Sequence, residues 1–297
     1  RHTRYPLVTG VQTCALPISH EVNLLADTFV ALGLFEQALA VVERLPPGVF
    51  VEARLLLLRA RCLATLGRWD ELRSLAVSIR GQRNAGLSME GASYAIEAIA
   101  QKGLNRSEAA GAAADKAGAA AEGEPGIVIP VAAWLAESGF AVPALQMLCG
   151  VELVSKDSVP YWMQRLQVAS RAGDAGDMVV ASRKAYELAP GNPALANNHA
   201  ASLIIARQNP AEAVRLTFQN LVVAPNNPDL IINHAMALTL NDRSDDAAKA
   251  LEKVSVGSLT PPQLANYRLA WFDVLLKRKD WRGARKQHAA LDRKHLQ

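Results

Sequence analysis

Two histidines stand in nearly the same setting, Asn198-His199-Ala200 and Asn233-His234-Ala235, 35 residues apart. Imidazole is a common metal ligand and general base, so a recurring pair invites a metal site. Recurrence itself argues the other way. Equivalent positions of neighbouring helical repeats lie on the order of 10 Å apart. Two nitrogens on one zinc at about 2.1 Å are only about 3–3.5 Å from each other. The rings are therefore expected to pack between helices, half-buried. His288 and His295, seven apart on a basic stretch, fit a solvated face.

Other chemistry is thin. There is no phosphate-binding glycine loop, nucleophile elbow or HExxH pattern, and GLNRSEAAG has too few glycines in the wrong places. Cys62 and Cys149 are isolated and expected in the core, with Cys14 set aside below. Asp245-Asp246, and Asp174 with Asp177, fall where first-turn carboxylates favour a helix dipole. No catalytic, cofactor-binding or metal-binding residue is assigned, and no cofactor is expected.

Half of the residues are hydrophobic and 5% aromatic, with Ala and Leu dominant, which favours helices over sheets. No window approaches the roughly 18 apolar residues of a membrane span. The segments that must position any site repeat. APGNPALANNHAASL from Ala189 matches APNNPDLIINHAMAL from Ala224 at nine of fifteen positions. Turn positions follow at Gly33, Gly67, Gly103, Gly139, Gly173, Gln208, Arg243 and Lys279, predicting eight units. In each, a helix of 3.6-residue apolar spacing enters a turn, a second helix follows, and Pro often closes it. Asn192-Pro193 and Asn227-Pro228 read as an N-cap and first helical residue; Asn209-Pro210 repeats this at a second helix, with Glu212 placed for a capping box.

The pattern resembles the tetratricopeptide repeat family. Ala200 and Ala235 stand midway along first helices, Gly33, Gly67, Gly139 and Gly173 at their ends, Ala38, Ala144, Ala213 and Ala248 near the start of second helices, and Pro190 and Pro225 at the exits. Small residues at these points let helices approach within the roughly 8–10 Å of helix packing. The resemblance spans about 21–294, clearest in the sixth and seventh units and poorest in the third. It implies an all-α fold, a right-handed α-solenoid of about eight antiparallel helix pairs, whose first helices line a concave face. On that face it implies a partner-binding set: Asn197, Asn198 and Asn233, with Met163, Gln164, Gln167, Ile232 and Met236 on the same winding. Asn there is also simply consensus for stability. The first helices of units six and seven carry no Lys or Arg before Arg207, which argues against a clamp for a terminal carboxylate.

Unit three stands apart. Its second helix, within EAAGAAADKAGAAAEGEP, has almost nothing larger than Ala to bury, and Gly111 and Gly118 each cost roughly 0.5–1 kcal/mol in a helix. Either a soft joint or a thin helix packed closely by its neighbours follows.

Residues Val8 to Ile18 back-translate to a common short-read sequencing adapter, and Arg1 to Arg4 fit its flow-cell arm. Residues 1–19 are accordingly expected to be non-native and disordered, in a bacterial, metagenomic fragment. The rest divides into repeats over 20–124, with the weak third unit, and over 125–297. The formal charge of +4 includes Arg1 and Arg4; residues 268–297 hold nine basic against three acidic groups, so the stretch between is net acidic. In that basic end Trp281 occupies the aromatic position opening a second helix, with the cations on the outer face of a terminal repeat.

The expected function is a non-catalytic scaffold for a protein or peptide partner, with no membrane span. Two alternatives stay open: the accessory repeat region of a larger, truncated enzyme, and nucleic-acid binding through the basic end. Cytoplasmic and periplasmic locations are both open.

Overall fold

The computed structural model describes residues 15–44, 53–81, 87–120 and 122–291. Among them are seventeen α-helices and no strand. They pair as hairpins: α1 (Ala15–Ala31) with α2 (Phe35–Glu43), α3 (Ala53–Thr65) with α4 (Trp69–Gly81), α5 (Leu87–Gly103) with α6 (Ser107–Ala119), and α7 (Pro125–Glu137) with α8 (Ala141–Gly150). A one-turn α9 (Glu152–Ser155) follows. Then come α10 (Val159–Ala172) with α11 (Ala175–Leu188), α12 (Pro193–Ile205) with α13 (Pro210–Val223), α14 (Pro228–Leu240) with α15 (Ser244–Leu251), and α16 (Pro261–Lys277) with α17 (Trp281–Leu291). No described helix is long and apolar enough to cross a membrane.

Each hairpin turns through left-handed backbone: Gly33, Gly67, Gly139 and Gly173 at φ +70° to +94°, and Asn105, Arg207, Asp242 and Lys279 at +51° to +60°, with Asn209 at +40° a second such residue in the α12–α13 turn. Where Gly is absent, Asn and Asp tolerate this region, while Arg207 and Lys279 bear its cost. Three turns are thus not where the sequence placed them. The residues that bend are Arg207 and Asp242, one before Gln208 and Arg243, and Asn105, two after Gly103. Gly103 ends α5 for another reason: a Cβ there would overlap the Trp69 indole.

Helix starts follow the side chains. Asn192 and Asn227 cap α12 and α14, accepting from Ala194 N–H (2.9 Å) and Asp229 N–H (3.0 Å), with Pro193 and Pro228 next in line. Asn209 caps α13, but the carboxylate of Glu212 turns to Arg215 (2.7 Å). The full capping box is instead Thr260 with Gln263 at α16.

The chain forms two compact units, residues 1–155 and 156–297. This cut falls one hairpin later than the 124/125 boundary read from sequence, because α5 packs on α7 and α6 on α8, tying the thin third hairpin to the fourth. Within each unit the helices of a hairpin pack on each other, and first helices touch the first helices that follow them at α1 on α3, α3 on α5, α5 on α7, α12 on α14 and α14 on α16. The small residues sit where close approach demands them. Ala38, Ala144, Ala200, Ala213 and Ala235 are fully buried, and Ala248 is 2% exposed.

Close packing also accounts for α6. Ala110, Ala113, Ala114, Ala117 and Gly118 are its buried face, and a Cβ on Gly91 of α5 would lie 2.6 Å from the Ala120 carbonyl oxygen. The third hairpin is narrow and tightly joined. Of the stretch expected to be disordered, 1–14 lie outside the described residues, while the backbone of Ala15 to Ser19 is helical, the opening of α1. Pro17 falls in that first turn, where an N–H has no intrahelical partner to lose.

Candidate partner-binding surfaces

The two histidines are seams between hairpins. His199 on α12 is 5% exposed, with Nδ1 3.1 Å from Ser182 Oγ on α11. His234 on α14 repeats this with Thr217 Oγ1 of α13 at 2.9 Å. An aromatic ring lies beside each, Tyr186 and Phe218, with centroids 6.0 and 6.1 Å away. Burial pushes both imidazoles below their ordinary pKa, which keeps them neutral in the seam. Among the described residues no three His, Cys, Asp or Glu side chains are grouped to hold a metal ion.

In residues 156–297, α10 and α12 wall a groove of about 630 Å³ that contains Met163, Gln164, Gln167 and Asn198, together with Leu166, Arg171 and Ala201. Gln167 is exposed; Met163, Gln164 and Asn198 are half-buried. Asn198 Nδ2 donates to Met163 Sδ at 3.7 Å, and Gln164 Nε2 to Gln167 Oε1 at 3.5 Å. Asn197 turns away from this groove and accepts from Asn233 Nδ2 at 3.1 Å, bridging α12 and α14. It borders a smaller cleft of about 240 Å³ with Pro193, Asn220 and Leu230. There the amide of buried Asn220 donates to the Pro193 carbonyl (3.3 Å) and accepts from Asn197 N–H (3.2 Å). Met236 packs half-buried against the cores on either side of it. Ile232 departs from the expectation: at 1% exposure it belongs to the core with Ala235, Leu238 and Ala270, and supports the face from behind.

Sequence reasoning missed two features. In residues 1–155 a larger groove, about 860 Å³, is lined by α1, α3, α5 and α7, all first helices, with Phe35 at its edge. Val30, Phe35, Leu57, Leu58, Met89 and Trp134 stand half-buried there, with Arg54 and Asp27 paired at 2.5 Å and Arg61 lying 5.8 Å over the Trp134 ring. The signal was the run Leu55 to Leu58: four consecutive leucines cannot all face one core, so Leu55 and Leu56 are buried and the next two are left in the groove. The second is Arg165, 6% exposed on α10, whose guanidinium holds Asp177 by two bonds (2.5 and 2.8 Å) and donates to the Tyr161 hydroxyl (3.3 Å). Asp177 therefore sits in the first turn of α11 yet is committed to Arg165, while Asp174 is the cap, accepting from Asp177 N–H at 2.9 Å.

The isolated cysteines divide. Cys62 is fully buried and burial pushes its thiol up, whereas Cys149 is exposed on α8, a correction to its expected place in the core.

No family model and no curated protein matches the sequence. Among solved structures the chain is similar to a tetratricopeptide repeat protein from Parabacteroides merdae, with a TM-score of 0.54 at 15% identity over 93% of each chain. It is also similar to the C-terminal part of a repeat-containing protein from Cytophaga hutchinsonii, with a TM-score of 0.45 at 13% identity over 89% of this chain and 98% of that one. The hairpins, their left-handed turns and the first of these likenesses lead to one conclusion: the chain has the all-α fold of tetratricopeptide repeat proteins.

Proposed function

We propose that the chain is a non-catalytic scaffold that receives a peptide or a segment of a partner protein on the faces walled by its first helices. The observation that carries this reading is the groove of about 860 Å³ across α1, α3, α5 and α7, where six large apolar side chains stand half-exposed in one concavity. Isolated exposed apolar residues need no explanation, but a contiguous recessed group is what a partner's side chains fill. The second groove would add register. Among the described residues the side-chain amides of Gln164, Gln167 and Asn198 make long bonds to neighbours at 3.5–3.7 Å, so they can exchange these for the backbone of an extended ligand. Asn197, Asn233 and Met236 would continue the surface along α12 and α14, with Ile232 beneath.

Peptides selected from a random library against the chain test this. Leu57→Asp is expected to weaken the selected peptides at least about tenfold, the loss of one well-buried interface contact. Val77→Asp, at a 54%-exposed position of the second helix α4, is expected to leave them unchanged. Binders indifferent to Leu57→Asp and to Gln164→Ala with Asn198→Ala would remove the reading.

A further inference from the structure

We propose that the groove between α10 and α12 is a slot for one large apolar side chain of an extended partner segment, with a carboxylate two positions from it on that segment held by Arg171. This rests on the scaffold reading and deepens it, by naming the chemistry that the second groove receives.

The slot has a cause within the repeat. The fourth residue of the second helix is Ala in six of the eight described hairpins, Ala38, Ala110, Ala144, Ala213, Ala247 and Ala284, each at most 2% exposed. The exceptions are Leu72 in α4 and Met178 in α11. A small residue there lets the adjoining first helices close over the second helix. Over Ala213, α12 packs along α14; over Met178, α10 and α12 hardly meet. Nor is the gap filled from the other side. Ala201 of α12 matches Met236 of α14 in the 35-residue register, and Met236 packs on the cluster that includes Ala200 and Ala213. The two seams thus hold the same pair of residue types in opposite places. At one, Ala213 is the floor and Met236 the filling. At the other, Met178 props the first helices apart and Ala201 leaves the opening empty.

A side chain of the size that Met236 supplies would fill it. The walls are apolar, Met163 and Leu166 above Met178, and thioethers adapt their shape to what enters. Arg171 supplies the charge. It alone is charged among the residues lining this groove, is exposed, and makes no hydrogen bond or ion pair among the described residues. It stands five residues beyond Leu166, about 7.5 Å along the helix. Side chains two positions apart on an extended segment share a face at about 6.5–7 Å. An apolar anchor beside Leu166 therefore brings a carboxylate two positions away to Arg171, with Gln167 between them to meet the backbone. One cation is too few for a nucleic acid, whose binding grows with the number of phosphates neutralised.

A library of random peptides is selected against the whole chain and, separately, against the chain carrying Leu57→Asp, which spoils the groove of residues 1–155. The second selection is expected to enrich Leu, Met or Phe with Asp or Glu two positions away, and a fluorescent peptide of the enriched sequence is titrated by anisotropy. Ala201→Met, which places in this seam the side chain that fills the next one, weakens it at least about tenfold, with melting unaltered or raised. Arg171→Glu, an exposed change, weakens it several-fold, and a peptide with Lys in place of its acidic residue binds that variant better than the parent chain. If the first selection yields peptides dependent on Leu57 and the second yields none, the scaffold reading stands and the slot is overturned. Enriched peptides without the acidic residue, or equal binding to the Ala201→Met or Arg171→Glu chain, overturn it as well.

Discussion

His199 and His234 show how one residue type is reused as a joint. Each ring spans from a first helix to the preceding second helix, bonded to Ser182 or Thr217, and each is kept neutral by burial. At His199 burial outweighs the rise from Glu212 and Glu187, which Arg183 and Arg215 also oppose; at His234 Arg243 adds to the lowering by burial. Both folded pKa values lie below the unfolded value of about 6.5, so the unfolded chain binds more protons as pH falls. Stability is fully present above about pH 6.5 and is lost as pH drops through and below it, by at most about 1.4 kcal/mol per pH unit for each ring. Thermal melting from neutral to mildly acidic pH is expected to show this slope, and the His199→Asn, His234→Asn double variant to flatten it. Their place was legible because the repeat set them in equivalent positions, which excluded a shared metal. Ile232 and Cys149 were not legible: an apolar stripe wide enough to wrap a helix does not reveal which edge faces a neighbour.

Helix hairpins were read well where capping chemistry is strong. Asn-Pro starts at α12 and α14 and glycine turns at Gly33, Gly67, Gly139 and Gly173 stand where their residue types demand. The turns at Asn105, Arg207 and Asp242 were displaced by one or two residues because no glycine marks them, and Gly103 misled by being needed for an indole's approach. The third hairpin is where element-scale physics is sharpest. Ala is a better helix former than Gly by about 1 kcal/mol. Gly91→Ala is nonetheless expected to destabilise the chain by about 1–3 kcal/mol, because its Cβ would press on the Ala120 carbonyl of the packed α6. Urea unfolding decides: a gain in stability would mean that α5 and α6 are loosely joined.

For the whole molecule, the period of some 35 residues disclosed the architecture, while the groove across α1, α3, α5 and α7 emerged only when four distant segments were brought side by side. Surfaces assembled from several repeats are invisible to a reading that takes each repeat in turn. The same locality predicts how damage spreads, since stability in such chains is a sum over neighbouring interfaces. Arg165→Leu leaves the half-buried Asp177 without its guanidinium partner, at a cost of up to about 3 kcal/mol. Hydrogen exchange is expected to quicken within residues 156–297 and to be unaltered in residues 1–155. Equal loss of protection in both would show that the two units unfold as one.

Within each unit a hairpin meets chiefly the ones before and after it, and each bends through left-handed backbone at its tip. Duplicating or deleting one such module would redraw two seams and leave the remaining ones untouched. Lineages built on this plan can therefore lengthen or shorten their reach in whole steps, without first redesigning a shared centre.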